Sequence, residues 1–283
     1  MKICIKCGNK IENEDWQCPH CRYTPQKIEG FNCFAPEFAQ SNDGFNVESF
    51  SELFHLEDIN FWFTSRNELI TWFIKKYFPK AENLLEIGCG TGFVLSGIER
   101  AFPNMTLFGS EIYSQGLALA KKRLKTVELF QIDARDIPFE NEFDVIGAFD
   151  VLEHIDEDIK VIKEMYKATK PQGGIIITVP QHQFLWSKAD EEACHVRRYT
   201  KKDLTAKIEE AGFKIISVTS FVTFLFPLML ISRLTRKEQS GELKINGSIN
   251  AIFKKIMNIE RLFITHGVNM PFGGSLLIIA KKV

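Results

Sequence analysis

No apolar run in this chain reaches the roughly 20 residues that a bilayer-spanning helix requires. The nearest candidate, Phe221 to Ile231, is shorter and is interrupted by Pro227. An excess of charge is lacking as well: 35 Lys/Arg stand against 36 Asp/Glu. There is therefore no global basic field of the kind that favours nucleic acid. The N-terminus shows no export segment and opens on cysteines instead. Internal repeats and low-complexity tracts are missing too. What is present is a chain of 283 residues, 45% hydrophobic, long enough for one large domain and a small appendage. Phenylalanine is abundant, with 25 residues, many of them in the segments Phe31–Phe78 and Phe213–Phe263.

Four of the seven cysteines form the pairs Cys4-x-x-Cys7 and Cys18-x-x-Cys21. Each pair can form a knuckle, and two knuckles supply four thiolates to a tetrahedral Zn²⁺, with Gly8 suited to the tight turn. Disulfides do not suit a chain without an export signal, and a redox pair would need a βαβ context. The expectation is a closed, structural zinc ribbon over residues 1–30, with Trp16 over the metal loop, followed by a linker over 31–56. Such ribbons commonly act as adaptors, so contact with another protein is one expectation. Cysteine usage points to the cytoplasm.

The run Leu84-Leu85-Glu86-Ile87-Gly88-Cys89-Gly90-Thr91-Gly92 is an apolar strand ending in an acid, then three glycines at alternate positions, then a helical segment from Phe93 to Arg100. Glycines at such a turn let a ligand approach the backbone and the helix N-terminus. A dinucleotide site needs Gly or Ala three residues after its second glycine, and Phe93 stands there. A second strand, Met105 to Gly109, leads to Glu111, about 20 residues past the glycines, where a carboxylate can accept ribose hydroxyls. A third, Val127 to Ile132, ends at Asp133. A fourth, Phe143 to Phe149, is nearly continuous in apolar residues and ends at Asp150. A fifth, Ile175 to Val179, follows the turn residues Pro171 to Gly174. Phe213–Val218 and Gly274–Ala280 read as the sixth and seventh. Helical segments between the strands indicate an α/β, doubly wound, seven-stranded sheet of Rossmann-like type.

The Glu86-x-Gly88-x-Gly90-x-Gly92 arrangement resembles motif I of the class I AdoMet-dependent methyltransferases. The resemblance runs from about Phe61 to the C-terminus, within a domain over 57–283. It implies an S-adenosyl-L-methionine cofactor held by Glu86, Gly88, Gly90, Gly92, Glu111 and Asp150, with Asp133 on the adenine amino group. The aromatic helix from about Glu57 to Phe78 resembles the cover that precedes such domains. Its Arg66 could meet the cofactor carboxylate bidentately; a surface role on an amphipathic helix is the alternative.

Two further segments bear on the acceptor. Asp150-Val151-Leu152-Glu153-His154 resembles the Glu-x-x-Glu-His segment of ubiquinone-biosynthesis O-methyltransferases, where it is associated with a divalent metal, but the first acid here is aspartate. His154 reads as a general base or as a packing group of the turn, not as a metal ligand. The loop after the fifth strand carries His182, Trp186, Asp190, His195, Arg197, Arg198 and Tyr199. Its H-x-R-R-Y-T-x-x-D-L string resembles a bacterial and archaeal methyltransferase group often associated with surface glycans and lipids. Its aromatic and charged residues read as a substrate lid, with His195 the first choice for a base; pairing of Arg197 and Arg198 with the acids at 190–192 is the other reading. The family's Asn/Asp-Pro-Pro-Tyr motif is missing. The implied activity is methyl transfer to an oxygen of a small-molecule, glycan or lipid acceptor. The rivals are a nucleic-acid methyltransferase reading RNA through the ribbon, and a non-catalytic AdoMet-binding scaffold.

About fifty residues separate the sixth and seventh strands, too many for a plain loop. This insertion, at about 220–272, is apolar at its start and basic afterwards. From Phe221 onward nine Lys/Arg stand against three Asp/Glu. The combination suits a peripheral membrane contact through 221–237 at the inner face, or alternatively a packed cover or a dimer contact.

Overall fold

A computed structural model of the protein describes residues 1–13, 15–40, 49–235 and 245–283. In chain order the elements are β1 (Lys2–Ile3), β2 (Lys10–Ile11), β3 (Gln26–Ile28), β4 (Phe31–Cys33), α1 (Ser49–Leu56), α2 (Phe61–Tyr77), β5 (Asn83–Ile87), α3 (Phe93–Ala101), β6 (Thr106–Glu111), α4 (Ser114–Arg123), β7 (Glu128–Gln131) and β8 (Phe143–Phe149). They continue with α5 (Asp158–Ala168), β9 (Thr169–Pro180), α6 (Lys188–Glu192), α7 (Lys201–Glu210), β10 (Phe213–Phe221), α8 (Phe226–Thr235), α9 (Gly247–Thr265) and β11 (Ser275–Lys282).

The main sheet runs β10-β11-β9-β8-β5-β6-β7-β4-β3. Strands β5 to β9 pair in parallel, and β11 enters antiparallel between β9 and β10. The chain winds outward from β5 through β6 to β7, then returns to the other side of β5 with β8. That reversal opens a crevice at the carboxyl ends of β5 and β8, where ligands sit in open α/β sheets. Side chains alternate between the two faces. Leu85, Ile146, Ile175 and Ile177 pack with Val161, Ile162, Leu204 and Ile208 of α5 and α7. Leu84, Val145 and Ile176 pack with Ile70, Ile74, Val94, Ile98 and Leu117 of α2, α3 and α4. The two covered faces account for the near-continuous apolar runs in these strands. β9 starts at Thr169, ahead of the residues read as a turn, and absorbs them in a register shift opposite Phe143–Val145.

The N-terminal boundaries differ from expectation. Residues 26–33, divided in the sequence reading between ribbon and linker, form a hairpin that extends seven strands to nine, with β4 parallel to β7. The cause is apolar: Phe31 and Cys33 turn into the core. The ribbon itself docks on the same edge. Ile3 N–H donates to Pro138 O at 3.0 Å, and buried Trp16 meets Phe34, Phe130 and Phe139 edge-on at 4.7, 5.7 and 5.4 Å. Residues 41–48 of the expected linker, and Arg236 and Lys237 of the expected membrane segment, lie outside the described residues. The insertion adds α8 and α9, the latter packed on α2. Among the described residues no helix is long and apolar enough to cross a membrane.

Candidate active site

The glycine loop leaves β5 with three left-handed residues, Gly88, Gly90 and Gly92 at φ 64°, 52° and 77°. They serve different ends. A Cβ on Gly88 would lie 2.5 Å from Val151, and one on Gly92 2.8 Å from Leu124, so these two glycines permit packing. At Gly90 the nearest atom would be a ring carbon of Phe50 at 3.7 Å, so this glycine faces the crevice. Phe50, on α1, roofs that position. α1 leads to Glu57, which accepts from Thr91 Oγ1 and, at 2.7 Å, from Arg123; Arg123 also donates to Phe54 O at 2.6 Å. Neither Glu57 nor Arg123 carried a signal in the sequence, because 66 residues separate them.

Carboxylates collect at the strand ends. Glu111 accepts from the N–H groups of Gly90, Ile112 and Tyr113 at 3.0, 2.8 and 3.2 Å. Burial still pushes its carboxyl up, partly offset by those amides. Glu86 is buried with Oε2 unpartnered, and burial raises it well above the ordinary carboxylate range. Asp150 takes a strained φ of 57° and accepts from Arg66 and from Thr178 Oγ1. Arg66 is buried, with its guanidinium 4.4 Å from the Trp62 ring centre and its Nε unpartnered. The sequence reading placed Arg66 and Asp150 separately on a ligand; the structure joins them. Asp133, expected at the adenine end, pairs with its near neighbour Arg135, at 3.0 Å from Nε and 2.7 Å from NH2.

The loop after β9 is a braced wall. Asp190 is buried and accepts from Arg198 Nε at 2.7 Å and NH2 at 3.0 Å, from Ser187 N–H at 2.9 Å, and from His195 Nδ1 at 2.9 Å. Burial alone would raise its carboxyl, but these donors hold it down at about 2. Tyr199 is fully buried and donates to Asp158 at 2.6 Å, which also pairs with Arg197 at 2.8 Å and Lys207 at 2.6 Å. Arg197, Arg198 and Tyr199 thus brace the loop expected as a substrate lid. Arg198 uses the expected acid, whereas Arg197 reaches Asp158 and Asp156. His182 stacks on Phe184, and neither His182 nor Trp186 lines the cavity described next.

That cavity, about 840 Å³, opens between α2, α6, α8 and α9. Asp150, Glu153, Asp190, His195 and Arg198 form its polar inner end. With Nδ1 directed to Asp190, His195 presents Nε2 4.0 Å from Glu153 Oε1. Glu153 is fully buried with both oxygens unpartnered, and burial beside Asp150 raises its carboxyl strongly. The ring of His154 stands edge-on to that of His195 at 4.7 Å, against the backbone of Ala193 and Cys194. Burial lowers it to about 3. The ligand atoms of Glu153, His154 and His195 lie within 4.8 Å of one another, close enough to hold an ion. A second cluster is formed by Cys4, Cys7, Cys18 and Cys21, with Sγ pairs at 3.6 Å. Four thiolates 2.3 Å from a tetrahedral ion would be about 3.8 Å apart.

Residues 58–218, more than half of the chain, match a family described as a methyltransferase domain. The protein belongs to that family. The malonyl-[acyl-carrier protein] O-methyltransferase of Priestia megaterium is 27% identical over 40% of this chain and 42% of its own. An uncharacterized protein of Methanocaldococcus jannaschii is 28% identical over 66% of this chain and 92% of its own. The chain spans about two fifths of the length of the first relatives it matches. Among solved structures, a Thermotoga maritima methyltransferase described as a possible histamine N-methyltransferase shares the fold at a TM-score of 0.55. It is 18% identical, over 84% of this chain and 96% of its own. A Haemonchus contortus phosphoethanolamine N-methyltransferase in complex with AdoMet gives 0.53 at 21% identity, over 76% and 52%. The fold is the Rossmann-like one of class I methyltransferases, and AdoMet is the cofactor this family implies.

Two outcomes follow from this geometry. Gly90→Val puts branches into the crevice at a φ that L-residues avoid. It should weaken binding of S-adenosylhomocysteine at least about 100-fold, roughly 2.7 kcal/mol, with the circular dichroism unchanged. Calorimetry showing parental affinity in this variant would remove the crevice from the cofactor site. The second concerns pH. His154 titrates at about 3 in the folded chain and near 6.5 when unfolded. The unfolded state therefore binds the proton more readily, and stability is full above about pH 6.5 and falls as pH drops from there towards 3. The slope reaches at most about 1.4 kcal/mol per unit. Urea midpoints measured across that window should fall more steeply for the parent than for His154→Gln.

Proposed function

We propose that the protein transfers a methyl group from AdoMet to an oxygen of an acceptor held in the 840 Å³ cavity, with His195 as the general base. The observation that carries this reading is the Asp190–His195 pair: a buried carboxylate on Nδ1 fixes the tautomer and turns Nε2 to the cavity side, beside Glu153. The chain's own groups suit the cofactor. Gly90 lacks the side chain that would fill the crevice, Arg66 Nε and Glu86 Oε2 are buried without partners, and Glu111 borders Gly90. Glu111 would take the ribose, Arg66 with Asp150 and Glu86 the methionine end, and Asp133 with Arg135 the adenine end. AdoMet, when bound, supplies a methyl group on a sulfonium, whose sulfur keeps the bonding pair.

The protein supplies position and a proton acceptor. As the oxygen–methyl bond forms, Nε2 of His195 takes the acceptor's hydroxyl proton, and Asp190 stabilises the imidazolium. His154 is a poor acceptor at neutral pH because burial holds it near 3. Small-molecule, glycan and lipid acceptors all present such a hydroxyl. The inner end of the cavity carries four charged side chains besides the histidine, three of them acidic, which disfavours a polyanion such as RNA. At the other end of the molecule, the four-cysteine cluster is read as a closed zinc site, since its spacing approaches that of a tetrahedral thiolate shell.

His195→Ala should lower incorporation of labelled methyl from AdoMet into a responsive cell extract by about 10²–10⁴-fold. S-adenosylhomocysteine affinity should stay within about twofold of the parent, since His195 lines only the acceptor cavity; undiminished incorporation would exclude the base role. For the ribbon, elemental analysis should find one Zn²⁺ per chain, lost in Cys7→Ser with Cys21→Ser. Because the ribbon shares a core with β7, chelation should lower the melting temperature of the whole chain. Metal-free protein with an unaltered melt would contradict the zinc site.

A further inference from the structure

The cavity joins its charged end to a largely apolar wall, interrupted by Ser232, Arg233 and Asn246. Much of that wall is made by the insertion: Val222 and Leu225 ahead of α8, Met229 on it, and Ile249 and Phe253 from α9. Three of its lining residues, Leu228, Ile231 and Ile249, are also exposed, at 52%, 56% and 45%, so the apolar wall continues onto the surface. It continues in a particular direction. α9 buries Met257, Glu260 and Ile264 against the domain. A second stripe, Ile249, Ile252, Ile259 and Phe263, runs at spacings of three, seven and four beside the buried one, roughly 100° round the helix, and is exposed among the described residues. A helix that is apolar on two sides needs a second apolar medium for the outer one.

Charge indicates which medium. The basic residues of α8 and α9 are Arg233, Lys254, Lys255 and Arg261, and the single acid, Glu260, is fully buried and accepts from Phe224 N–H at 2.8 Å. Lys254 and Arg261 share Glu68 of α2, at 2.8 and 3.3 Å, and Arg233 donates to Ser187 Oγ; counted with Glu68, the two helices still carry an excess of cations beside the apolar stripe. This is the pattern of an interfacial helix on anionic lipid. A protein partner would equally accept the apolar stripe, but the continuity between stripe and cavity gives lipid a role that a protein partner lacks: it delivers something into the mouth at Leu228 and Ile249.

We propose that α8 and the outer stripe of α9 seat the protein on an anionic lipid surface. We propose further that its acceptor is an amphiphile drawn from that surface, with a hydroxylated head at His195 and an apolar chain along Leu225, Met229 and Phe253. This rests on the methyltransferase reading of the cavity and names the substrate class for it.

The test uses the full chain in flotation assays with two vesicle types, phosphatidylcholine alone and phosphatidylcholine with phosphatidylglycerol. The parent should float with the anionic vesicles and be released by salt, because surface charge attraction is screened. Ile252→Ser with Ile259→Ser lies on the exposed stripe and should fold normally, as checked by its melt, yet lose vesicle affinity by at least about tenfold. A dansyl-labelled fatty acid probes the cavity separately. Met229→Glu should weaken its binding by about tenfold or more, since the apolar wall would gain a charge, while leaving flotation intact. A parent that floats with neither vesicle type overturns the surface proposal. The same holds for a parent that forms a dimer in sedimentation which the double serine variant dissolves. A parent that floats but does not bind the fatty acid, or binds it equally in Met229→Glu, overturns the amphiphile. S-adenosylhomocysteine calorimetry without lipid reports on the cofactor reading alone, so either failure can be told from a failure of that reading.

Discussion

The constraint on which the site depends is the burial of carboxylates at the strand ends. Glu86, Glu111 and Glu153 are buried at the carboxyl ends of β5, β6 and β8, and Asp150 stands beside them. Isolated carboxylates in such a place cost several kcal/mol each unless paired. Arg66 is the cation that reaches into this group, and it pairs with Asp150. Burial accordingly raises Glu86, Glu111 and Glu153. A crevice with more buried acids than cations is poised for a positively charged ligand, whose arrival supplies the missing charge. A sulfonium and an ammonium on one small molecule meet that requirement, which a nicotinamide dinucleotide with its pyrophosphate does not.

Rigidity around the acids comes from two arginine clamps. Arg198 on Asp190 converts the loop after β9 into a wall, and the same carboxylate orients His195. Arg123 on Glu57 ties α1 across the glycine loop through Thr91. Both pairs are largely excluded from water, so removing one partner would strand the other, a far larger penalty than an exposed ion pair incurs. The shape of the crevice therefore depends on ion pairs made within the protein, and the loop expected as a substrate lid is braced by them.

Much of this was legible in one dimension because it is local. Gly88, Gly90 and Gly92 follow a strand within nine residues, and Glu111, Asp133 and Asp150 each close an apolar run. The seven strands showed as runs covered on both faces, and the insertion showed as excess length. Pairing was legible for Arg198 and Asp190, eight residues apart, but not across longer distances or through turns. Arg66 was directed at a ligand carboxylate, whereas its partner Asp150 lies 84 residues away. Arg197 had three acids close by in sequence and uses Asp158 instead, because Tyr199 is buried beside that carboxylate and brings the arginine with it. Asp133 and Arg135 are only two residues apart, yet their pairing depends on a turn whose conformation periodicity does not encode.

The N-terminal segment shows the same limit on a larger scale. Two C-x-x-C pairs at a chain end read as an appendage joined by a linker, since nothing in residues 31–40 resembles a long strand. In the fold, Trp16 of the ribbon, Phe34 and Phe130 share one apolar cluster with the strands of the main sheet. From there the chain runs along β7 towards the crevice. Gln131 is fully buried; its Oε1 accepts from Ala35 N–H at 3.0 Å, and its Nε2 donates to Ala35 O at 2.7 Å and to Ile112 O at 2.8 Å. Ser114 N–H donates to Ala39 O at 2.8 Å. Ile112 and Ser114 closely follow Glu111, which accepts from the Gly90 N–H of the glycine loop. A buried amide with all its groups satisfied transmits position because any shift breaks hydrogen bonds that water cannot replace. The N-terminal segment thus packs, through Trp16, Phe34 and Gln131, against the wall beside Glu111.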